Sequence, residues 1–427
     1  MTLVLSLGFI VFLVANVPIA LALGGAAVLA LLWEGQIPLL VVPQRIFTGV
    51  DSFPLLAIPL FILAGELMEH SGISERLVRL AQVLVGWLRG GIGMTVVVAE
   101  IFFSGISGST VADTSALGTT MIPAMRRAGY SAPRAAAIVS AASGMGILVP
   151  PCINMVVYGI MAQVSIAALF AAGFLPAFVM AAFLMAQLWL QARRDPALVV
   201  QTRPSAGEMA SALGRAVVPL LMPVLIFGGI LSGVFTATEA GAVAVAYGLL
   251  VGIVIYRVID GRRLYTILLE TARVSGQIML LVGTASLFAW LLSSQRVPQE
   301  LSALIKSVTS GPILFLLLAN LVMLVLGAVL DGLPAMIMLV PVLLPMATRF
   351  NVDPLHFGIV LIANIGVGLF LPPVGLGLIV AAAIGRVSVT EVAPVLFPYL
   401  ATMMATVLVI TFWPWLTLIV PSALGLR

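Results

Sequence analysis

The sequence predicts an all-α, polytopic membrane protein made of two inverted repeats, each with a re-entrant hairpin and a broken helix. Three observations predict it. Of 427 residues, 62% are hydrophobic and only 8% charged, far from soluble composition. Apolar runs of about 20 residues, enough to cross hydrocarbon, recur from end to end. One sequence element also occurs twice: GMGILVPP places Gly144, Gly146, Pro150 and Pro151, and GVGLFLPP places Gly366, Gly368, Pro372 and Pro373, 222 residues later. The same shift relates Pro123 to Pro345 and Pro176 to Pro398. Helix breakers within lipid leave backbone groups unsatisfied unless protein, water or a ligand serves them. Broken helices repeated in two halves therefore point to a transport site at the repeat interface.

In chain order, residues 4–32 read as one retained crossing, because MTLVLSLGFIVFLV has no basic n-region and no small-residue cleavage site. Residues 54–72 form a second crossing. ISERLVRLAQVLVGWLR follows, with apolar residues at helical spacing and charges opposite; it is either an interfacial helix or an ordinary loop helix. Residues 92–125 are apolar but interrupted midway by polar and small residues, which predicts a hairpin leaving on the side it entered. A broken helix covers 132–163, and crossings follow at 166–190, 213–232, 236–256 and 275–294. After the amphipathic VPQELSALIKSV come a second hairpin at 312–347, a second broken helix at 356–384 and a last crossing at 392–420. The chain is one integral membrane unit, with repeats at 1–205 and 206–427 and a transport core at about 92–165 and 312–384.

Orientation follows from the basic residues. With the connector carrying Arg193, Arg194 and Arg203 taken as cytoplasmic, Arg76, Arg79, Arg89, Arg126, Arg127, Arg134, Arg215, Arg257, Arg262, Arg263, Arg273 and Arg386 fall on the same face. Fifteen basic residues then lie inside and five outside: Arg45, Arg296, Lys306, Arg349 and Arg427. This satisfies the positive-inside rule and predicts a cytoplasmic N-terminus and a periplasmic C-terminus. The hairpins then enter from opposite faces, so the halves are inverted. Two short crossings per hairpin would leave the charge count unchanged; the polar interruptions and the broken partner helices favour re-entrance.

The first hairpin carries FFSGISGSTVADTSALG, where Ser104, Gly105, Ser107, Gly108, Ser109 and Thr110 crowd the place an unbroken span would keep most apolar. Thr110 and Asp113 have capping-box spacing. In LGAVLDGLPAM, Asp331 can cap, Gly332 turns and Pro334 suits a first helical turn. A carboxylate at the bilayer midplane is costly unless paired or liganded, so Asp113 and Asp331 are functional candidates; capping alone also accounts for Asp113, and Asp331 reads as a cation ligand. Half-helix N-termini suit a substrate carboxylate, and unwound carbonyls suit a small hard cation such as Na⁺. Glu66 and Glu100 are weaker candidates facing a polar crevice or a partner protein, and N-capping suffices for Glu239. Arg296 either meets a substrate carboxylate or snorkels to the interface.

Several chemistries are excluded. Cys152 is the single cysteine, so neither an intrachain disulfide nor a thiolate metal cluster is available. Gly105-Ile106-Ser107-Gly108 has the GxSG spacing of intramembrane serine proteases, but His70 and His356 both fall at predicted membrane edges, away from that serine. No HExxH, Walker A or Rossmann pattern is present. The net charge of +4 gives no reason to expect nucleic acid. Transport must draw on an ion gradient or a partner. A pore would not need two inverted broken elements bracketing a central site.

Taken together, SFPLLAIPLFILAGELM, SGISGSTVADTSALG, GMGILVPPCI, GVFTATEAGAVAVAYG, LDGLPAMIMLVPVLLP and GLFLPPVGLGL resemble the large membrane (permease) subunit of the tripartite ATP-independent periplasmic (TRAP) transporters, along essentially the whole chain. The resemblance implies a non-enzymatic, Na⁺-coupled secondary transporter of elevator type in a bacterial inner membrane. It would be embedded in membrane lipid, pair with a separate small four-helix membrane subunit and receive an organic acid from a periplasmic substrate-binding protein. One Na⁺ site is implied at Ser107, Ser109 and backbone oxygens near Gly146, Val149 and Pro151. A second is implied at Asp331 and backbone near Gly368, Leu371 and Pro373. Substrate contacts are expected at Arg296, which matches an arginine before a Val/Ile-Pro pair, and at Ser107, Asn154 and Gly332. Cys152 stands where the family usually has serine and Asn154 replaces a frequent proline, so the identity of the organic acid does not carry over.

Overall fold

The computed structural model describes residues 1–195, 198, 200–308 and 311–426, apart from the side chains of residues 107, 302 and 304–308. Among the described residues the secondary structure is helical throughout, and eight helices are long and apolar enough to cross a membrane. Most predicted elements are present. After a short 3₁₀ turn, α4 (Ala57–His70) completes the second crossing. The amphipathic stretches form α5 (Ile73–Val85) and α14 (Val297–Val308). The middle crossings are α10 (Ile166–Arg193), α11 (Ala206–Leu231) and α12 (Ala237–Leu249), the last running on through a π-helical turn to Ile255.

The first and last predicted crossings are corrected. Residues 4–32 are not one span but two helices, α1 (Thr2–Val14) and α2 (Ile19–Glu34). Asn16 turns the chain in the left-handed region at φ 59°, and Pro18 caps α2 without an amide to donate. The Met1 ammonium lies 3.7 Å from the Glu34 carboxylate, so α2 returns antiparallel along α1. At 13 residues, α1 is about 20 Å long, short of the roughly 30 Å hydrocarbon core. Hydropathy missed this because an Asn-Val-Pro turn barely dilutes a run that is apolar on both sides. At the other end, α19 (Val389–Phe412) stops at Trp413, and α20 (Trp415–Ala423) packs against α10 instead of continuing.

Two further elements extend beyond the expectation. The helix α3 (Val41–Val50) lies against α13 (Gly261–Ser294), which begins well before the predicted 275 because Asp260 caps it, accepting from the Arg263 amide at 2.8 Å. A Cβ on Gly49 would meet the Ser286 Cβ at 2.5 Å, so only glycine allows this approach. Arg45 of α3 lies over the Trp290 ring at 4.7 Å, an arrangement suited to the aromatic level of an interface.

The duplicated sequence element is duplicated in structure. The first hairpin is α6 (Gly91–Ser107) and α7 (Thr110–Arg127), followed by the broken pair α8 (Ala132–Gly146) and α9 (Ile153–Ala162). The second hairpin is α15 (Pro312–Val329) and α16 (Gly332–Arg349), followed by α17 (Pro354–Gly368) and α18 (Leu376–Gly385). Both breaks turn alike: the Val149 amide donates to the Gly146 carbonyl at 2.8 Å, and the Leu371 amide to the Gly368 carbonyl at 2.9 Å. Pro150-Pro151 and Pro372-Pro373 are both cis. The two copies cross at equivalent residues. A Cβ on Gly144 would lie 3.0 Å from the Gly366 carbonyl oxygen, and one on Gly366 would lie 2.5 Å from that of Gly144.

Candidate transport site

At the first hairpin tip, Gly108 takes φ 63° and Ser109 is extended at the start of α7. A Cβ on Gly108 would meet the Pro151 carbonyl oxygen at 3.1 Å, so the tip is seated on the first helix break. The cap position falls on Ser109 rather than Thr110, which corrects the expected Thr110–Asp113 box. Asp113 instead reaches across the hairpin, where the Ser104 hydroxyl lies 2.9 Å from Asp113 Oδ2 and 3.0 Å from Glu100 Oε1. The Ser143 hydroxyl of α8 donates to Glu100 Oε2 at 3.1 Å. Glu100 is fully buried, and these hydroxyls tie α6 and α7 to the broken helix. Gly146 is required beside them, since a Cβ there would lie 2.3 Å from both Glu100 Oε1 and Ser104 Oγ. The side chain of Ser107 lies outside the described residues.

At the second tip, Asp331 caps α16 and accepts from the Gly332 amide at 2.7 Å. Gly332 touches both copies of the break. A Cβ there would lie 3.3 Å from Asn154 Nδ2 of the first and 3.6 Å from Leu369 Cδ1 of the second. Behind it, Gly368 packs on Gly327 of α15, where a Cβ would come within 2.7 Å of backbone. A buried relay of amides holds this repeat together: Asn364 of α17 donates to Asn320 of α15, and Asn320 to Thr411 of α19. The first repeat thus uses carboxylates and hydroxyls where the second uses neutral amides.

Both hairpin tips, with helix residues that flank the two breaks, converge on one cavity of about 640 Å³. Residues 108–112 and 331–334 line it, as do Ile153, Asn154, Leu369 and Leu376. The remaining wall comes from the start of α2, from Glu66 and Glu69 of α4, and from Gln277, Ile278 and Leu281 of α13. Of the sequence-predicted residues, the structure brings Ser109, Asn154, Asp331 and Gly332 into this cavity. Gly146, Val149, Pro151, Gly368, Leu371 and Pro373 belong to the two breaks and do not line it. Arg296 is exposed at the α13–α14 corner at φ 56° and is not part of the lining. Gln277 and Glu69 were missed; an isolated amide inside a hydrophobic helix was the available signal for Gln277. Glu239 forms the capping box with Thr236 that N-capping alone implied. His356 is buried between Thr417 and the Thr411 carbonyl, and His70 contacts Glu66, so both imidazoles are engaged away from the hairpin.

Comparison with known proteins gives the following. Residues 6–416 match the model of the family described as tripartite ATP-independent periplasmic transporter, DctM component. The chain is 37% identical over 407 residues to the isethionate TRAP transporter permease protein DctMQ of Oleidesulfovibrio alaskensis, covering 95% of this chain but 64% of that longer protein. It is 32% identical over 433 residues to the C4-dicarboxylate TRAP transporter large permease protein DctM of Rhodobacter capsulatus, covering 98% of each. In structure it resembles the YdaH transporter of Alcanivorax borkumensis, with a TM-score of 0.63, 14% identity and 87% of each chain covered. That last likeness concerns the fold alone.

Proposed function

Because this chain belongs to the DctM-component family of tripartite ATP-independent periplasmic transporters, we propose that it is the large permease subunit of a Na⁺-coupled, binding-protein-dependent importer of organic anions in a bacterial inner membrane. Its relatives bound the substrate class, one being an isethionate and another a C4-dicarboxylate permease. The observation that carries the reading is the convergence of both hairpin tips, with residues flanking both helix breaks, on a single cavity. There α7 and α16 begin, and their first amides and positive dipole ends suit a carboxylate or sulfonate. Nearby α8 and α17 end, and the carbonyls of those ends suit a small hard cation.

In this reading one Na⁺ is held by Ser107, Ser109 and the backbone around Gly146, Val149 and Pro151. A second is held by Asp331 and the backbone around Gly368, Leu371 and Pro373. Asn154 and Gly332, which touch across the repeat boundary, contact the substrate. The cations neutralise the anion in a site that otherwise offers it neutral donors, so each ligand raises the affinity of the other. Hairpins and broken helices of repeats 1–205 and 206–427 would move as one body past α2, α4 and α13, in the manner of an elevator. The partners are a small membrane subunit and a periplasmic binding protein. With α1 folded back on α2, the N-terminus shares the face of Arg45, so arginine-rich connectors in the cytoplasm put both termini on the periplasmic side. A single first crossing would instead require a cytoplasmic N-terminus.

The test is reconstitution with both partners into proteoliposomes. Uptake is expected only with an inward Na⁺ gradient and the cognate binding protein. Uptake that persists at full rate after collapse of the Na⁺ gradient overturns the coupling.

A further inference from the structure

Glu100 lines neither the cavity nor either proposed cation site, yet it is fully buried in α6. Among the described residues no lysine, arginine or histidine forms an ion pair with it. Its partners are hydroxyls, Ser104 at 3.0 Å from Oε1 and Ser143 of α8 at 3.1 Å from Oε2. Ser104 also lies 2.9 Å from Asp113 Oδ2. A hydroxyl has one proton to donate, so Ser104 can serve only one of two ionised carboxylates. Positive charge is what this cluster is short of. The first helix break lies against it, since a Cβ on Gly146 would fall 2.3 Å from Glu100 Oε1. The second repeat is built differently. Its carboxylate, Asp331, stands in the hairpin tip, and neutral amides of Asn320 and Asn364 join α15 to α17. In the first repeat the tip sequence offers hydroxyls in Ser107, Ser109 and Thr110, and Glu100 joins α6 to α8.

Resting on the Na⁺-coupled reading, we propose that Glu100 is the charge partner of the first cation. It does not enter the coordination shell, which hydroxyl and backbone oxygens supply. Across the Gly146 end of α8 it provides the negative charge that those neutral oxygens lack. Neutral ligands orient a cation, but a charge taken out of water is costly unless an opposite charge compensates it. The carbonyl end of α8 contributes only part of that charge. Cation and carboxylate thus answer each other, and the seam between α6 and α8 is at its most stable when the first site is filled. The second repeat has no need of such a partner, because Asp331 stands in its tip. A glutamine in place of Glu100 keeps every hydrogen bond: Oε1 accepts from Ser143, Nε2 donates to Ser104, and the Ser104 hydroxyl turns to Asp113. E100Q therefore removes the charge alone.

The permease, purified with its small subunit, is titrated with NaCl against choline chloride at constant ionic strength, and Tm is the readout. The unsubstituted protein is expected to gain stability with Na⁺. E100Q should need at least about tenfold more Na⁺ for half of that gain. In choline alone its Tm should equal or exceed that of the unsubstituted protein, because a buried charge has gone. A packing role predicts the reverse, a lower Tm in choline and an unmoved Na⁺ midpoint. Ser143→Ala keeps the charge and cuts the tie to α8, so its Na⁺ midpoint should stay where it was, whatever its Tm. An unmoved Na⁺ midpoint in E100Q overturns the inference and leaves Na⁺ coupling intact. So does loss of the E100Q fold in choline, or a midpoint raised equally by Ser143→Ala. An unsubstituted protein no more stable in Na⁺ than in choline overturns the coupling itself, and the inference with it.

Discussion

Single side chains divide here into those that pack and those that face the cavity. Gly146 is the first kind, a glycine because Glu100 and Ser104 occupy the space a side chain would need. Asp331 is the second kind: one carboxylate oxygen caps α16 while the residue borders the cavity. Asp331→Asn is expected to raise the Na⁺ concentration for half-maximal uptake by about tenfold, the worth of a charge-assisted ligand, with little change in thermal stability because the amide still caps. Unchanged Na⁺ activation in vesicles would remove it from the second cation site. Arg296 gives the opposite expectation. Exposed and outside the lining, it should behave as a screened surface charge, so Arg296→Ala leaves substrate half-saturation within about twofold. A larger rise would mean that another conformation brings the α13–α14 corner to the substrate. The sequence left Arg296 open because adjacency along the chain does not say which way a helix corner faces.

At the scale of elements, the broken helices were legible because glycine and proline act locally. Spaced glycines and a double proline interrupt helix wherever they stand, so 132–163 and 356–384 were readable as broken helices. How the two copies pack was not readable. Gly144 and Gly366 meet across the α8–α17 crossing, each facing the carbonyl of the other at a distance that excludes a methyl group. Gly366→Ala, with a 2.5 Å approach to backbone oxygen, should cost more than Gly144→Ala at 3.0 Å. Both should fall in the range of about 1–3 kcal/mol for overpacking, read as a lowered Tm of the purified complex. Equal, negligible shifts would show that the crossing is loose. The 4–32 run shows the converse limit: its turn rests on Asn16 and Pro18, a signal too weak to register in a hydropathy window.

For the whole molecule, folding α1 back on α2 changes the parity of the topology. A cysteine at Leu3 and one at Gln44, each introduced singly into a Cys152→Ser background, should be labelled by a membrane-impermeant maleimide from the same side, the periplasmic one. Buried Cys152 would add little background in any case. Labelling of the two from opposite faces would restore a single first crossing and a cytoplasmic N-terminus. The same parity argument ties the direction of the hairpins to the arginine-rich connectors, which no local feature of the hairpins determines.

Composition, the middle crossings, the duplicated break and family membership followed from the sequence, because each depends on residues close together in the chain or on their sum. The convergence of Ser109, Asn154, Asp331 and Gly332 on one cavity was decided only by tertiary structure. So were the acidic α4 wall, the burial of Glu100 among hydroxyls and the exclusion of Arg296. These bring together residues far apart in the chain, as with Glu66 and Asp331, 265 residues apart and lining one cavity, and whether such segments meet depends on how helices cross. Hydropathy responds to the solvent a helix needs, which in a bilayer is nearly the same on every side, whereas packing chooses which side faces which neighbour.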